Sequence, residues 1–405
     1  MRVLTLWGIH PFEFPFLDTD TVLSALRCKR LGIDVFSANP CDVLGRVFDY
    51  SPIWLHAAVL PVTRSWVTPV GMMIALSFIA SLLLLPAARG WRETLILVCA
   101  VLSTSSIYAV ERGNTDLIVF SLASLSAAAI SSKNKHRVVG YSIGFIAGLL
   151  KYYPMTILAL ALREPPRIFF GVAMLVAAGL TVFVGVEGPD LARALALIPT
   201  SSFFDDNFGA RTLPRGLAQI FGVESEYGKY GEVLLGIGSL TAGLRLGLHT
   251  KAKVSLELLT DREQVFFCTG ALLTVAAFFT AQNIGYRAIH LILVVPALAA
   301  VWRVGVARSI SSLTLGAVLI VLWAEGWRHS VDRLFAFPVP YYQAAHMGRL
   351  RLPLWLLREA SWWWTVTLLI AALVALLVRP GTAGSAVLAW LGRQLIKILP
   401  RRGAA

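Results

Sequence analysis

Long apolar runs separated by short polar stretches recur along most of this chain. The predicted spans are roughly 67–88, 93–110, 114–131, 166–187, 231–249, 265–283, 286–304, 308–326 and 362–378. At a helical rise of about 1.5 Å per residue, runs of this length cross most or all of a hydrocarbon core of roughly 30 Å. The pattern therefore predicts an all-α polytopic membrane protein, because only helices and closed barrels satisfy their backbone groups within lipid.

The stretch 138–162 is almost wholly apolar, yet it contains Lys151, two tyrosines and Pro154 in succession. Proline removes a backbone donor and disfavours helix at the residue before it. We therefore predict a hairpin of two short helices, 138–150 and 154–162, that turns at the lysine. Its tip would lie in a recess, because broken helices within a membrane are tolerated where they line protein or a wet cavity.

Charged residues are few, and basic residues outnumber acidic ones. The chain of 405 residues is 57% hydrophobic and 15% charged, and its net charge is +13. With the hairpin in place, the short loops rich in Lys and Arg all fall on one membrane side, which the positive-inside rule makes cytoplasmic. The basic excess is then a feature of membrane topology, and no nucleic-acid partner is expected.

This scheme gives about eleven membrane crossings and places residues 1–66 outside. A chain that starts outside without a signal peptide is unusual. Either a first helix ahead of this segment is missing from the sequence, or the N-terminus is exported on its own. The predicted location is a bacterial cytoplasmic (inner) membrane, with the outer segments facing the periplasm or exterior.

The chain divides by this topology into an outer first loop, a membrane body and a tail. The first loop is 1–66, and the transmembrane domain is 67–378 with further external loops at 188–230 and 327–361. The basic tail 379–405 has one apolar face, which predicts either a cytoplasmic interfacial helix or an ordinary basic tail.

Four cysteines are present. Cys99 and Cys268 lie inside apolar runs and are expected to be inert buried thiols. Cys28 and Cys41 lie in the first loop, where an extracytoplasmic location permits a disulfide. The sequence leaves a disulfide and two free thiols equally open.

Polar side chains gather at the predicted outer face. In the first loop, Asp18 and Asp20 precede an amphipathic helix. The other predicted site residues are Glu111, Arg112, Asn114, Asp116, Lys151, Tyr152, Asn207, Arg211, Tyr286, Arg287 and His290. Each alone has an ordinary explanation as a helix cap, an ion pair, a snorkelling cation or a packed histidine. Together they predict a site, because ionisable groups within a membrane are costly and tend to be functional.

The chemistry that fits this set is group transfer from a membrane-borne donor. Nucleotide-activated sugars are absent outside such a membrane, whereas a polyprenyl-phosphate sugar is available there. Its phosphate leaving group needs cations, and Lys151, Arg287 and Arg211 could bind it. An acceptor hydroxyl on a glycan or lipid needs one general base, Asp18 or Asp20. The remaining predicted residues would bind substrate, and one base with several cations suits inverting displacement.

Three stretches in order carry a resemblance to a known family. They are LDTDTVLSALRCKRLGIDVFSANPCD with FDYSPIWL, GLLKYYP, and DDNFGARTLPRGLAQIFG. Over residues 18–222 the chain resembles family 87 of the GT-C glycosyltransferases, the polyprenyl-phosphate-mannose-type mannosyltransferases. The resemblance implies a GT-C fold, a first helix ahead of the first loop, and a catalytic Asp early in that loop, with Asp20 favoured.

The chain departs from that family at two places. Thr212 and Leu213 stand where Ser-Leu is usual, and ERGNTDL replaces a simpler Gly-Gln-x-Asn turn. The second departure leaves the donor sugar open between a mannose-like sugar and another.

Two other functions compete with a transferase. A flippase or transporter of lipid-linked glycans would place charges along a central path, whereas these charges gather at one face. A polysaccharide polymerase or ligase would use external loops rich in Arg and His, and the loop 327–361 has that composition.

No metal site and no certain cofactor are predicted. The histidines assigned to the outer side lack a partner carboxylate at ligand spacing. A divalent cation that bridges Asp18 or Asp20 to the donor phosphate is the alternative.

Overall fold

The structure, a computed structural model, describes residues 4–398 except 6, 10–12, 133–135, 199, 201, 336–346 and 349. The described chain is built of α-helices and 3-10 helices, with one pair of two-residue strands. The all-α class that the apolar pattern predicts is confirmed.

The first loop has its own small core. It contains α1 (Leu17–Arg30) and two 3-10 helices, Pro52–Val59 and Arg64–Trp66. Leu26 and Phe48 are among the buried residues of this core. A disulfide joins Cys28 to the half-buried Cys41, with the two Cα atoms 5.8 Å apart.

The membrane body follows in chain order. Its first helices are α2 (Val67–Leu82), α3 (Trp91–Val101), α4 (Thr104–Arg112), α5 (Thr115–Ile130), α6 (His136–Lys151), a 3-10 helix (Tyr153–Arg163) and α7 (Pro166–Ala196). The later elements are β1 (Asn207–Phe208), α8 (Thr212–Ile220), α9 (Ser225–Leu248), α10 (Thr250–Glu257), α11 (Asp261–Thr280), β2 (Asn283–Ile284), a 3-10 helix (Gly285–Leu293), α12 (Val295–Val304), α13 (Arg308–Leu322), α14 (Ala324–Leu334), α15 (Arg351–Leu377) and α16 (Ala383–Ile398).

By length and composition, five described stretches of helix could cross a membrane: Arg64–Leu82, Pro166–Ala196, Ser225–Leu248, Asp261–Thr280 and Arg351–Leu377. The number rises to eight if each of three bent helix pairs is one span. The prediction of about eleven also counted α5, α6 and the 3-10 helix after it. Those elements have 16, 16 and 11 residues, too few to span a roughly 30 Å core unaided.

The hairpin predicted for 138–162 is present. α6 ends at Lys151, and the 3-10 helix that follows runs back along it. The far ends of the two arms meet, because Arg137 donates to both carboxylate oxygens of Glu164 at 3.2 and 3.0 Å. Both arms therefore begin and end on the same side of the bundle.

The external loops are more helical than the predicted bounds 188–230 and 327–361 imply. α7 continues to Ala196 and α9 begins at Ser225, while α14 continues to Leu334 and α15 begins at Arg351. Each of these helices extends past its apolar run, and α7 does so although Pro189 lies within it.

Burial separates the core of the body from its lipid-facing wall. Most of the hydrophobic window of α11 is buried (83%), and none of the window of α7 is. α7 is therefore a lipid-facing helix. Its outer end is tied to the first loop, because Glu187 bonds His56 at 2.5 Å and Arg193 bonds Asp34.

Candidate functional site

A single buried carboxylate organises the predicted site. Asp116 lies in the first turn of α5, where the N-cap Asn114 accepts a hydrogen bond from its backbone N–H at 2.7 Å. Its carboxylate pairs with Lys151 Nζ at 2.8 Å and Arg287 Nε at 3.1 Å. Tyr153 donates its hydroxyl to the same carboxylate at 2.7 Å. Asp116 is wholly buried, and we call this set of four interacting side chains (Asp116, Lys151, Arg287 and Tyr153) the Asp116 cluster.

The break in the hairpin places Lys151 in that cluster. Tyr152 has φ 58° and ψ −60°, a strained conformation for a residue with a Cβ. Strain of this kind costs of order 1–3 kcal/mol and tends to occur at functional sites. Lys151 also donates to Asn114 Oδ1 at 3.3 Å and lies over the Tyr50 ring, 5.6 Å from its centroid.

The pairing of β1 with β2 helps to place Arg287. The two strands pair antiparallel, with Asn207 opposite Ile284, and Gly285 N donates to Asp206 O at 2.6 Å. Arg287 then follows in the 3-10 helix, and its guanidinium carbon lies 5.3 Å from the centre of the Tyr153 ring.

His290 lies one 3-10 turn beyond Arg287 and is wholly buried. Its Nε2 is 2.5 Å from the hydroxyl of Tyr153, which also bonds Asp116. His290 therefore contacts the Asp116 cluster through the Tyr153 hydroxyl, and it does not face an open cavity itself.

The first loop reaches this cluster through Asp18. Asn114 Nδ2 donates to Asp18 Oδ2 at 2.6 Å, while Asn114 Oδ1 accepts from Lys151. The approach is close, because Thr19 Oγ1 donates to the carbonyl of Gly113 at 2.7 Å. A Cβ on Gly113 would lie 2.4 Å from that hydroxyl, and its φ is 57°, so the turn between α4 and α5 requires glycine.

Asp20 points elsewhere. Its carboxylate accepts from Arg27 at 3.3 Å and from the backbone N–H of Val43 at 3.2 Å. Arg27 also donates to the carbonyl of Cys41, a disulfide partner of α1. These contacts make Asp20 part of the first loop's interior, whereas Asp18 lies at the cluster.

The segment 42–50 forms the outer wall beside Asp18. Arg46 donates to Asp18 at 3.4 Å and to Asp42 at 3.0 Å. Burial disfavours the charged form of Asp42, but the hydrogen bonds and charge of Arg46 outweigh it and lower its pKa. At Asp49 burial dominates, and the pKa of that carboxyl is raised although Lys151 opposes the shift.

Glu111 and Arg112 pair with each other at 3.4 Å. Arg112 also donates to the hydroxyl of Tyr108, whose ring packs edge-on against Tyr286 at 5.4 Å between centroids. These residues form an aromatic and charged wall beside the cluster.

Asn207 and Arg211 have other surroundings. Asn207 donates to the carbonyl of Ser202, and Arg211 is the residue before α8. Within the described part of the chain, no hydrogen bond or ion pair joins the Arg211 side chain to Asp116, Lys151 or Arg287.

Tyr153 and Asp49 were not among the predicted site residues. A sequence signal existed for Tyr153, which adjoins the lysine and the proline of the break. No comparable pattern marked Asp49. Among the residues that the structure describes, no group of three or more His, Cys, Asp or Glu side chains could hold a metal ion.

No family model and no curated protein matches the chain. Among solved structures, it is similar to the crystal structure of ArnT from Cupriavidus metallidurans in the apo state. That match has 12% sequence identity and a TM-score of 0.37, and covers 99% of this chain and 80% of that chain. An identity and a TM-score this low assign neither a family nor a substrate.

Proposed function

We propose that the chain is a membrane glycosyltransferase of the GT-C type, which moves a sugar from a polyprenyl-phosphate donor to a hydroxyl of a glycan or lipid acceptor. One observation carries the proposal. The buried carboxylate of Asp116 holds two cations, Lys151 at 2.8 Å and Arg287 at 3.1 Å, so this trio keeps one formal positive charge. A buried surplus cation is unfavourable unless an anion joins it.

The surplus charge suits a phosphate leaving group. When the bond from the sugar C1 to the phosphate oxygen breaks, the electron pair goes to that oxygen. Lys151 and Arg287 stabilise the charge that develops there, so no general acid is needed. Asp116 and Tyr153 hold both cations in place before the donor arrives, and pre-organised charges of this kind lower the barrier.

The first-loop acids suit the acceptor side. We place the donor phosphate at Lys151 and Arg287 and the acceptor hydroxyl at Asp18, so that the acceptor would approach C1 on the face opposite the phosphate. This arrangement favours inversion at C1. Of the two predicted acids we assign Asp18 to contact the acceptor hydroxyl, because it reaches the cluster through Asn114. Asp20 holds the fold of the loop.

The finer details rest on sequence. The family resemblance supports a mannose-like donor sugar, and the one-sided basic loops support a bacterial inner membrane with the site facing the periplasm. A divalent cation between Asp18 and the donor phosphate remains compatible with this scheme.

The competing functions have less support. A flippase needs charges along a path through the membrane, whereas the Asp116 cluster lies at one end of the hairpin. A polymerase or ligase would use free arginines in 327–361, but two of them are engaged: Arg328 with Glu325, and Arg351 with Asp332 at 2.9 Å. His346 and Arg349 of that loop lie outside the described residues.

The test is transfer of labelled sugar from polyprenyl-phosphate-mannose to membrane lipid or glycan in proteoliposomes. Lys151→Met should lower the rate about 10²–10³-fold, as removal of one pre-organised charge commonly does. Lys229→Met is the matched control, because Lys229 is an exposed lysine paired with Glu226 on α9; its rate should equal wild type.

Donor movement across the bilayer without a new glycosidic bond would replace the proposal with a flippase. Equal rates for Lys151→Met and wild type would reject the phosphate role of the cluster.

A further inference from the structure

At the base of the hairpin, two arginines from distant parts of the chain bond the same amide oxygen. Arg163, the last residue of the 3-10 helix, donates its Nη2 to Gln264 Oε1 at 2.9 Å. Arg379, which follows α15, donates its Nη2 to the same oxygen at 2.6 Å. Two positive guanidinium groups therefore lie side by side, because both are within hydrogen-bond distance of one atom.

The fold fixes the amide that holds this pair. Gln264 is buried near the start of α11. Its Nε2 donates to the backbone carbonyls of Leu256 and Leu259, at 3.1 and 2.9 Å. With the amide nitrogen held by these two carbonyls, the amide oxygen must face the arginines. The arginine pair is thus built into the structure and is not a chance meeting of two surface side chains.

The half-buried Arg379 has no direct acidic partner. Arg163 pairs with Asp261 at 2.8 Å, although the Asp261 side chain is 55% exposed. Within the described residues, no ion pair joins Arg379 to a carboxylate, and Asp261 and Glu257 act on it only from a longer distance. Burial and the charge of Arg163 lower the pKa of Arg379, as expected for a cation without a counter-ion in contact.

The arginine pair lies where two candidate membrane spans end. α11 begins at Asp261 and α15 ends at Leu377, and both helices are long and apolar enough to cross a membrane. The hydrogen bond from Arg379 to Gln264 shows that these two ends lie on the same side of the bundle. Residues at the end of a span lie at the level of the lipid headgroups, where basic pockets between helices bind lipid phosphates.

We propose that Arg163 and Arg379 bind one phosphate group between them, and that this phosphate belongs to the headgroup of an anionic phospholipid. Phosphate oxygens accept charge-assisted hydrogen bonds from both guanidinium groups, and the negative charge offsets the repulsion between the two cations. The site lies at the opposite end of the hairpin from the Asp116 cluster, so the inference does not depend on the proposed glycosyltransferase function. Free inorganic phosphate has the same chemistry, and the experiment distinguishes the two sources.

The experiment measures thermal unfolding of the full chain in detergent, titrated with phosphatidylglycerol, phosphatidylcholine or inorganic phosphate. A ligand that binds the folded protein raises its unfolding temperature as the ligand concentration rises. Phosphatidylglycerol should stabilise wild type more than phosphatidylcholine does. In Arg379→Gln and in Arg163→Gln, the apparent affinity for phosphatidylglycerol should fall about 10-fold or more, because charge-assisted hydrogen bonds are lost.

Each variant is compared with its own ligand-free unfolding temperature, so a general loss of stability does not count as a loss of binding. Arg245→Gln is the matched control. Arg245 is an exposed arginine in the last turn of α9. That end of α9 lies at the same end of the bundle, because Gly247 packs against Ala371 of α15. Arg245→Gln should keep the wild-type affinity.

Stabilisation by phosphatidylglycerol but not by inorganic phosphate would support the lipid headgroup as ligand. Stabilisation by inorganic phosphate that is lost in Arg379→Gln would support the phosphate site and replace its source with a soluble ion. Wild-type affinity in both arginine variants would overturn the site. An equal loss in Arg245→Gln would also overturn it, in favour of general attraction to a basic face, as would a wild type that none of the three ligands stabilises.

Discussion

Two buried carboxylates pair with the two ends of the same hairpin, and they differ in how their charge is balanced. Glu164 lies at the base of the hairpin, where it accepts from Arg137 at 3.0 Å and from the hydroxyl of Tyr141 at 3.1 Å. Asp116 meets the tip, where it also has a tyrosine hydroxyl but has two cations, Lys151 and Arg287.

At the base of the hairpin, the charges of Glu164 and Arg137 balance each other, and the pair is partly open to water. Glu164 has one cation, and the Arg137 side chain is 42% exposed. Its backbone carbonyl also accepts from Ala383, which ties α16 to the hairpin. Such a pair joins elements of the fold. At the tip the charges do not balance, and Lys151 and Arg287 are only 12% and 19% exposed. A second buried cation, rather than burial alone, therefore distinguishes the tip of the hairpin from its base.

The largest effect should follow from Asp116→Asn. The change leaves two cations close together without their counter-ion, so they should separate and lose their common position. We expect transfer to fall about 10³-fold, and the free energy of unfolding to fall by about 3–5 kcal/mol, as when one partner of a buried ion pair is removed. The proteoliposome assay measures the first and thermal unfolding in detergent the second. Full activity in a folded Asp116→Asn protein would contradict the link between surplus charge and function.

A smaller effect should separate the two first-loop acids. Asp18→Asn should lower the transfer rate about 10–100-fold at unchanged expression, because its contact with the acceptor hydroxyl weakens. Asp20→Asn should act mainly on stability, since the carboxylate bonds Arg27 and Val43. Specific activity per folded molecule decides between them, and a greater loss for Asp20→Asn than for Asp18→Asn would reverse the assignment.

The smallest effect on activity is expected at the ion pair of Glu164 with Arg137 at the base of the hairpin. Glu164→Gln keeps the shape of the side chain and removes its charge, and water can solvate the half-exposed Arg137. The free energy of unfolding should fall by about 1–2 kcal/mol, with no change in transfer by the folded protein. A strong loss of transfer at this site, far from the Asp116 cluster, would show that charge surplus does not separate the two ends.

Much of the fold was predictable because it depends on local properties. The break at Lys151 and Pro154 follows from the missing donor and the steric limits of proline. The two arms of the hairpin follow from that break and from the one-sided basic loops. The bounds of 188–230 were less predictable, because α7 continues past its apolar run to Ala196.

Several polar residues that the sequence singled out do meet in the structure, but their contacts were not predictable. Asp116 and Arg287 are 171 positions apart in the chain, and nothing local shows that they meet.

The sequence by itself determined the helical class and the lysine at the break, since run length and proline act through neighbouring residues. Only the tertiary structure showed that Asp18, and not Asp20, bonds Asn114 beside the Asp116 cluster. Two residues apart on an α-helix differ by about 200° in direction, so one faces the Asp116 cluster and the other the interior of the first loop. Whether the Asp18 face or the Asp20 face of α1 meets the cluster depends on how α1 docks, and distant parts of the chain set that docking.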